Sequence, residues 1–385
     1  MRNICVITGT RAEYGLLSGL MRAISKEPDL HLQVIATNMH LSPEYGLTYQ
    51  EIEADGFHID KKVECLLSSD TSNGTAKTVG LATIGFADAY EDLKPNLIVV
   101  LGDRYEILAA VQTALFFRIP IAHLHGGEIT EGAYDDCIRH SITKMSHLHF
   151  TSTEDYRRRV IQLGEQPDRV FNVGAIGIEN IKTLPLLSRE ELEESLGFEI
   201  GNRCILVTYH PVTLEDSTAE EQSKNLLDAI DNIENCRVIF TMPNSDTNGR
   251  IIKQAIERYV SSHSHRCVAF KSLGLRRYLS ALQFVKAVVG NSSSGIIEVP
   301  SFHIPTLNIG DRQKGRIMSE SVVNCGTTTN EIEKGIKLVL NDDFQIAAKR
   351  CSNPYEGENT TAKILEVIKN YPLEGIIQKH FYDIR

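Results

Sequence analysis

Between Ala287 and Glu298 the chain runs from an apolar stretch into Gly290-Asn291-Ser292-Ser293-Ser294-Gly295 and on into a helix-like segment. Backbone N–H groups at a helix start are unpaired, and the helix dipole adds partial positive charge there, so the turn suits a phosphate. Glycine permits close approach, and the hydroxyls of Ser292 and Ser293 can add hydrogen bonds. Glu298, a turn further on, can accept from ribose hydroxyls. An ordinary serine-capped turn is the competing reading. Asn308–Arg316 brings Arg312, Lys314 and Arg316 onto a glycine-bearing loop suited to a diphosphate. His210 and Asn244 each follow a further apolar run. Near the N-terminus, Gly9-Thr10-Arg11 puts a cation at a helix start, where it is disfavoured unless an anion relieves it. This is not a G-x-G-x-x-G pattern, so NAD is poorly supported.

Acid–base chemistry concentrates elsewhere. Asp103 and Arg104 adjoin after the run Leu97–Leu101; a helix-capping aspartate with a structural ion pair is the plainer alternative. The densest titratable cluster is His123-Leu124-His125-Gly126-Gly127-Glu128, followed by Asp135, Asp136, Arg139 and His140. His123 and His125 alternate with no third ligand at metal-site spacing, so no metal site is expected. Several carboxylates and histidines sharing one site fit general acid–base catalysis, with a loop-fixing polar network as the alternative.

The elements that must position these groups follow from the alternation of short apolar runs and amphipathic stretches. Strands are expected at 3–8, 32–37, 97–101, 119–123, 148–151 and 170–173, with helices near 13–26, 104–117, 135–146 and 153–163. A hinge is expected from Gly174 to about Asn202, with a charged helix around Glu190–Leu196. The pattern then restarts, with strands at 205–208, 237–240, 268–270, 287–289 and 306–309. Helices are expected near 218–232, 249–260, 275–282, 294–299 and 330–340. Parallel sheets with helices on both faces result. The expected fold is α/β, with two doubly wound Rossmann-like domains facing a central cleft. The domains are 1–174 and 175–360, with a C-terminal segment 361–385 packing back on the first. Ligands in such sheets bind beyond the C-terminal strand ends, where the residues above fall.

Composition sets outer limits. The chain has 385 residues, enough for two cores, and its 42% hydrophobic and 23% charged residues are ordinary for a globular protein. Its net charge of −10, with no long basic run, argues against nucleic acid or an anionic membrane as partner. Eight cysteines without a CxxC pair are expected to be buried free thiols, consistent with a cytoplasmic protein. The apolar run at Ile4–Ile7 is too short for a signal segment or a span.

Taken together, GTRAEYGLL (9–17), GDRYE (102–106), HLHGGE (123–128), DDCIRHSITKMSHLH (135–149), HPVT (210–213), GNSSSGIIEVPS (290–301) and NIGDRQKGR (308–316) resemble the UDP-N-acetylglucosamine 2-epimerase family. The nearest likeness is to its hydrolysing branch, which makes N-acetylmannosamine for sialic acid synthesis. The resemblance implies a GT-B-like fold whose second domain holds UDP. Ser292 and Ser293 would bind the diphosphate and Glu298 the ribose. Arg11, His210 and Arg312 would contact the diphosphate, and Asn244 would line the same site. The first domain would supply Asp103, Arg104, Glu128, Asp135, Arg139 and His140 around the sugar. Many family members carry a glutamate where this chain has His125, which makes Glu128, Asp135 and Asp103 the stronger carboxylate candidates and His125 a proton shuttle. The family reaction needs no metal or redox cofactor, and a homodimer or homotetramer is the family expectation.

The implied chemistry is elimination of UDP, loss of the C2 proton to give 2-acetamidoglucal, and addition of water with inverted C2 configuration. Four rivals stand beside it. These are a non-hydrolysing epimerase, the same hydrolysis of a UDP-2,4-diacetamido sugar on the legionaminic acid route, a GT-B glycosyltransferase, and a nucleotide-sugar sensor without turnover.

Overall fold

The computed structural model describes residues 1–67, 69, 71–212, 219–243 and 248–384. Two parallel sheets organise the chain into two α/β units. Unit 1 comprises Met1–Glu128, Asp135–Lys182 and Tyr355–Arg385; unit 2 comprises Ile129–Tyr134 and Thr183–Pro354. The chain therefore leaves unit 1 after Glu128, gives six residues to unit 2, and re-enters unit 1 at Asp135.

Unit 1 contains β1 (Arg2–Thr8), β2 (Leu30–Thr37), β3 (Lys61–Val63), β4 (Leu97–Leu101), β5 (Ile121–Leu124), β6 (Leu148–Thr151) and β7 (Val170–Asn172), in spatial order β3-β2-β1-β4-β5-β6-β7. All neighbours are parallel. Side chains of a strand alternate between faces, so Ile4 and Val6 join one core and Cys5 and Ile7 the other. Helix Arg11–Lys26 covers the first face with Tyr14, Leu17 and Leu20, joined by Ile364 and Ile368 from the helix Thr360–Asn370. Helices Ser72–Leu93 and Tyr105–Phe116 cover the second with Phe86, Tyr90, Ile107 and Val111. Both faces are apolar, which explains why the strands read as continuous hydrophobic runs.

Unit 2 contains β8 (Cys204–Thr208), β9 (Arg237–Thr241), β10 (Cys267–Phe270), β11 (Ala287–Gly290), β12 (Thr306–Ile309) and β13 (Val322–Cys325), ordered β10-β9-β8-β11-β12-β13 and again parallel throughout. Helices Ala219–Asp231, Gly249–Ser262 and Thr329–Val339 bury Leu226, Ile230, Ile252, Ile256, Ile332 and Ile336 against it.

In each sheet the strand order reverses once, at β1/β4 in unit 1 and β8/β11 in unit 2. A crevice opens beyond the strand ends at such a reversal. Gly9 and Gly102 follow β1 and β4; Tyr209 and Asn291 follow β8 and β11.

Several elements lie outside the sequence reading: β3, β13, the short helices Tyr49–Ala54, Ile176–Thr183 and Asp342–Ala348, and the 22-residue helix Ser72–Leu93. The thiols are all free, but Cys137 is exposed and Cys325 and Cys351 are half-buried, which corrects the expectation of eight buried cysteines. Among the described residues no helix is long and apolar enough to cross a membrane.

Candidate active site

In unit 1 the first turn after β1 is fixed by a reciprocal cap. The Thr10 hydroxyl accepts from Glu13 N, and Glu13 Oε2 accepts from Gly9 N and Thr10 N at 2.8 and 3.0 Å. Arg11 opens the helix, and its Nε lies 2.6 Å from Glu51 Oε2. The cost of a cation at this helix start is thus already offset by Glu51 and Glu13, where the sequence suggested a ligand anion. Beside this turn Glu106 is wholly buried, with Arg104 Nε 2.6 Å from its Oε1. A Cβ on Gly9 would meet Glu106 Oε1 at 2.4 Å, so only glycine fits there. Burial, with Glu106 close by, raises the Glu13 carboxyl above its ordinary range.

The adjacent Asp103 and Arg104 do not pair as the sequence suggested. Arg104 joins Glu106, while Asp103 receives a hydrogen bond from Arg139 Nη2. Arg139 is almost completely buried, and its Nη1 donates to the Glu128 carbonyl at 2.9 Å. One guanidinium therefore ties the end of β4, the loop after β5 and the helix Asp135–Met145 together. Asp136, named with this cluster from the sequence, lies 3.7 Å from Arg139 and 3.5 Å from His140. Asp135 opens the same helix. Burial lowers the His140 pKa, opposed by Asp136 and assisted by Arg139 and Arg159.

His125 adopts φ +65°, a left-handed conformation unusual outside glycine, which turns its ring back toward Glu128. His125 Nδ1 lies 2.7 Å from Glu128 Oε1, the same oxygen that accepts the Ser152 hydroxyl at 2.8 Å. His125 Nε2 is buried without a protein partner. Gly127 must be glycine: φ is +80° and a Cβ would meet the Tyr156 carbonyl at 2.5 Å.

His123 has a different role. It is fully buried, with Nε2 2.8 Å from the Gly102 carbonyl and Nδ1 3.2 Å from the Thr143 hydroxyl. Burial pushes its pKa down to about 3, so it stays neutral. Among the described residues no group of three or more His, Cys, Asp or Glu side chains is placed to hold a metal ion.

In unit 2 the turn after β11 is built on Gly290 and Asn291. Gly290 has φ +139°, and a Cβ there would come within 1.9 Å of Thr208 O. Asn291 is fully buried and spans the strand reversal. Its Oδ1 accepts from His210 N at 2.7 Å, and its Nδ2 donates to His210 O at 2.8 Å. Its own carbonyl accepts from Arg312 Nη1 at 3.2 Å and Gln313 Nε2 at 2.9 Å. One asparagine thus fixes the loops carrying His210, Ser292 and Arg312. Sequence reading passed over Asn291 and Gln313; the signal available was an amide side chain wedged between Gly290 and the serines.

Ser293 sits at the start of Ser294–Ile297 with no side-chain cap, so its hydroxyl does not serve the serine-capped alternative. The helix is a single turn, continued by the tighter turn Val299–Phe302. Its macrodipole is small, and any anion affinity rests on the local N–H and hydroxyl groups. Glu298 is buried directly after this turn. Asn244 lies outside the described residues, as does Thr213 of the HPVT segment.

Comparison with known proteins identifies the family and the fold. The family model described as UDP-N-acetylglucosamine 2-epimerase matches residues 22–369. The chain is 44% identical over 384 residues to the GDP/UDP-N,N'-diacetylbacillosamine 2-epimerase (hydrolyzing) of Campylobacter jejuni, covering 100% of this chain and 99% of that protein. It is 38% identical to polysialic acid biosynthesis protein P7 of Escherichia coli, covering 100% and 98%. The crystal structure of a Listeria monocytogenes protein described as a UDP-N-acetylglucosamine 2-epimerase superposes with a TM-score of 0.79 at 20% identity, covering 99% of both chains. The chain is an enzyme of the UDP-N-acetylglucosamine 2-epimerase family.

Proposed function

We propose that this enzyme hydrolyses a UDP-linked 2-acetamido sugar with inversion at C2, releasing UDP and the free epimerised sugar. The observation that carries the reading is the buried acid–base group of unit 1. There Glu128 is held by His125 and Ser152, and Asp103 is held by Arg139. Two carboxylates in separately defined hydrogen-bond environments suit two separate roles.

Unit 2 binds the nucleotide. Ser292, Ser293, His210 and Arg312 hold the diphosphate, and Glu298 the ribose. Arg11 and Arg104 add positive charge. As the C1–O bond to UDP breaks, charge on the leaving diphosphate is stabilised by these donors. Positive charge grows at C1 and acidifies the C2 proton. Asp103 faces the oxocarbenium-like centre, and Glu128, backed by His125, takes the C2 proton to leave a glycal. Water then adds at C1, and a proton returns to C2 from the opposite face. Asp135, Arg139 and His140, on one helix, position the sugar and complete the acid–base set.

The likeness to the Campylobacter jejuni enzyme favours a 2,4-diacetamido sugar such as UDP-N,N'-diacetylbacillosamine. The family match keeps UDP-N-acetylglucosamine, yielding N-acetylmannosamine, as the second reading. Incubation with each nucleotide sugar, followed by chromatography of the products, tests both. Free C2-epimeric sugar and UDP in equal amounts is expected, with the diacetamido sugar turned over at least tenfold more efficiently. A UDP-linked epimer as the end product refutes hydrolysis. Equal or better turnover of UDP-N-acetylglucosamine refutes the sugar assignment.

A further inference from the structure

A cavity of about 190 Å³ opens within unit 1, between the ends of the helices Tyr105–Phe116 and Asp135–Met145 and the C-terminal segment. Leu115, Ile119, Met145 and Ile377 form its apolar wall, and Arg118, Lys144, His147 and Lys379 supply its polar groups. It lies apart from the acid–base residues. Asp135 opens the helix whose last residues, Lys144 and Met145, reach the cavity roughly 15 Å further along.

His147 is 2% exposed and lines this cavity. Its Nδ1 accepts from the Ile121 N–H at 3.1 Å, which leaves the ring proton on Nε2. Nε2 has no partner among the described residues, so a nearly buried N–H donor is held there unpaired. Arg118 also lacks an ion-pair partner among the described residues. It stands just past the end of its helix at φ +53°, where its N–H bonds Leu115 O at 3.1 Å and that of Ile119 bonds Ala114 O at 3.0 Å. Glycine is the usual residue at such a helix end, so an arginine there bears backbone strain that a functional guanidinium would explain. Lys144 and Lys379 both pair with buried Glu165, at 2.8 and 2.6 Å, and one carboxylate offsets only one of their two charges. Burial, then Lys379, His149 and Arg169, push the His147 pKa down to about 3, so the ring is a neutral donor in positive surroundings.

A neutral apolar molecule would leave these donors unpaired, and an inorganic anion would leave the apolar wall wet. An organic carboxylate meets both demands, because a guanidinium matches its two oxygens. An apolar cavity of about 150 Å³ in another protein holds benzene, so this one has room for a single ring or short branched chain with its carboxylate. We propose that the cavity is a binding site for a small organic monocarboxylate, its charge held by Arg118 and His147 Nε2–H and its apolar body against Leu115, Ile119, Met145 and Ile377.

Ligand-observed NMR titration of the full chain tests it, with benzoate as the probe and circular dichroism as a check on folding. Benzoate should bind with a Kd on the order of 1 mM, as befits a ligand of about nine non-hydrogen atoms. Benzamide, which has the same shape without the charge, and inorganic phosphate, which has charge without an apolar body, should each bind at least roughly tenfold more weakly. Arg118→Gly suits the left-handed backbone and should fold normally, yet weaken benzoate by roughly tenfold. Leu115→Glu, at a half-exposed position, should weaken it as much by placing a like charge in the wall. No benzoate binding at about 20 mM, benzamide or phosphate binding as well as benzoate, or a Kd indifferent to both variants would overturn the proposal. Arg118 and Leu115 belong to neither the acid–base group nor the nucleotide loops. Turnover should therefore be unchanged in both variants, and failure here leaves the enzymatic reading untouched.

Discussion

His125 Nδ1 and Ser152 Oγ converge on one oxygen of Glu128, at 2.7 and 2.8 Å, so this carboxylate has a fixed orientation. Strand β6 leads into Ser152, and β5 leads into the loop holding His125 and Glu128. The orientation is therefore set by two neighbouring strand ends rather than by a loop alone. A base oriented in this way loses its function when its charge is removed and only part of it when a supporting bond is removed. Glu128→Gln should lower kcat by about 10³-fold, and Ser152→Ala by about tenfold, with KM for the nucleotide sugar changed less than twofold in each. Steady-state kinetics check this, and a Glu128→Gln enzyme retaining a tenth of its kcat would remove Glu128 from the base role.

Asn291 makes a separate prediction for the nucleotide side. Its side chain supplies both hydrogen bonds that clamp His210 to the turn after β11. Asn291→Ala should raise the Kd for UDP by about tenfold, on the scale of one to two buried hydrogen bonds. Isothermal titration with UDP reads this, and an unchanged Kd would show that the His210 loop does not depend on Asn291.

The central strands were legible because they are buried on both faces, which makes runs such as Leu97–Leu101 apolar throughout, whereas the less buried edge strands β3 and β13 were not. The helix Ser72–Leu93 was not legible. It contains Gly74, Gly80 and Gly85, each costing roughly 1 kcal/mol of helix propensity relative to alanine, and its exposed positions mix Leu81 and Ile84 with Lys77, Asp88 and Glu91, which blurs the helical pattern. Gly85 is there for packing: a Cβ would meet Val63 at 2.7 Å. For the candidate site, the placement of its residues just after strands could be read, because the apolar runs mark where strands end. Partnerships could not. Asp103 is next to Arg104 in sequence but bonds Arg139, on a helix 36 residues further on. Glu106 takes Arg104 instead, an exchange that depends on tertiary packing.

Three buried histidines give a pH prediction. Burial, above all, lowers the pKa of His123 and His147 to about 3 and of His40 to about 4. In the unfolded chain each titrates near 6.5. Between these values the unfolded chain binds the proton and the folded one does not, so the contribution to stability is complete above about 6.5 and is lost as pH falls. Each such histidine should cost about 1.4 kcal/mol per pH unit below that point. Urea unfolding between pH 7 and 5 should show the loss, with a smaller slope for His123→Gln by about one proton. An unaltered slope would mean that His123 is protonated in the folded protein.

Lys379, near the C-terminus, anchors the helix that carries the site residues. Its ammonium donates to the Lys144 and Ser146 carbonyls at 2.8 and 2.6 Å and pairs with buried Glu165 at 2.6 Å. This satisfies orphan carbonyls at the end of Asp135–Met145. Lys379→Met should destabilise the protein by about 2–3 kcal/mol, with Lys379→Arg recovering part of it. Thermal unfolding measures both, and equal stability of the methionine variant would show that the tail contributes no anchor.

The most direct test of the central claim is a proton NMR time course in deuterated water with UDP-N,N'-diacetylbacillosamine. Glu128 abstracting the C2 proton, followed by reprotonation from solvent, requires deuterium at C2 of a free, epimerised sugar released together with UDP. A free sugar retaining the original proton at C2 would contradict the elimination and hydration route.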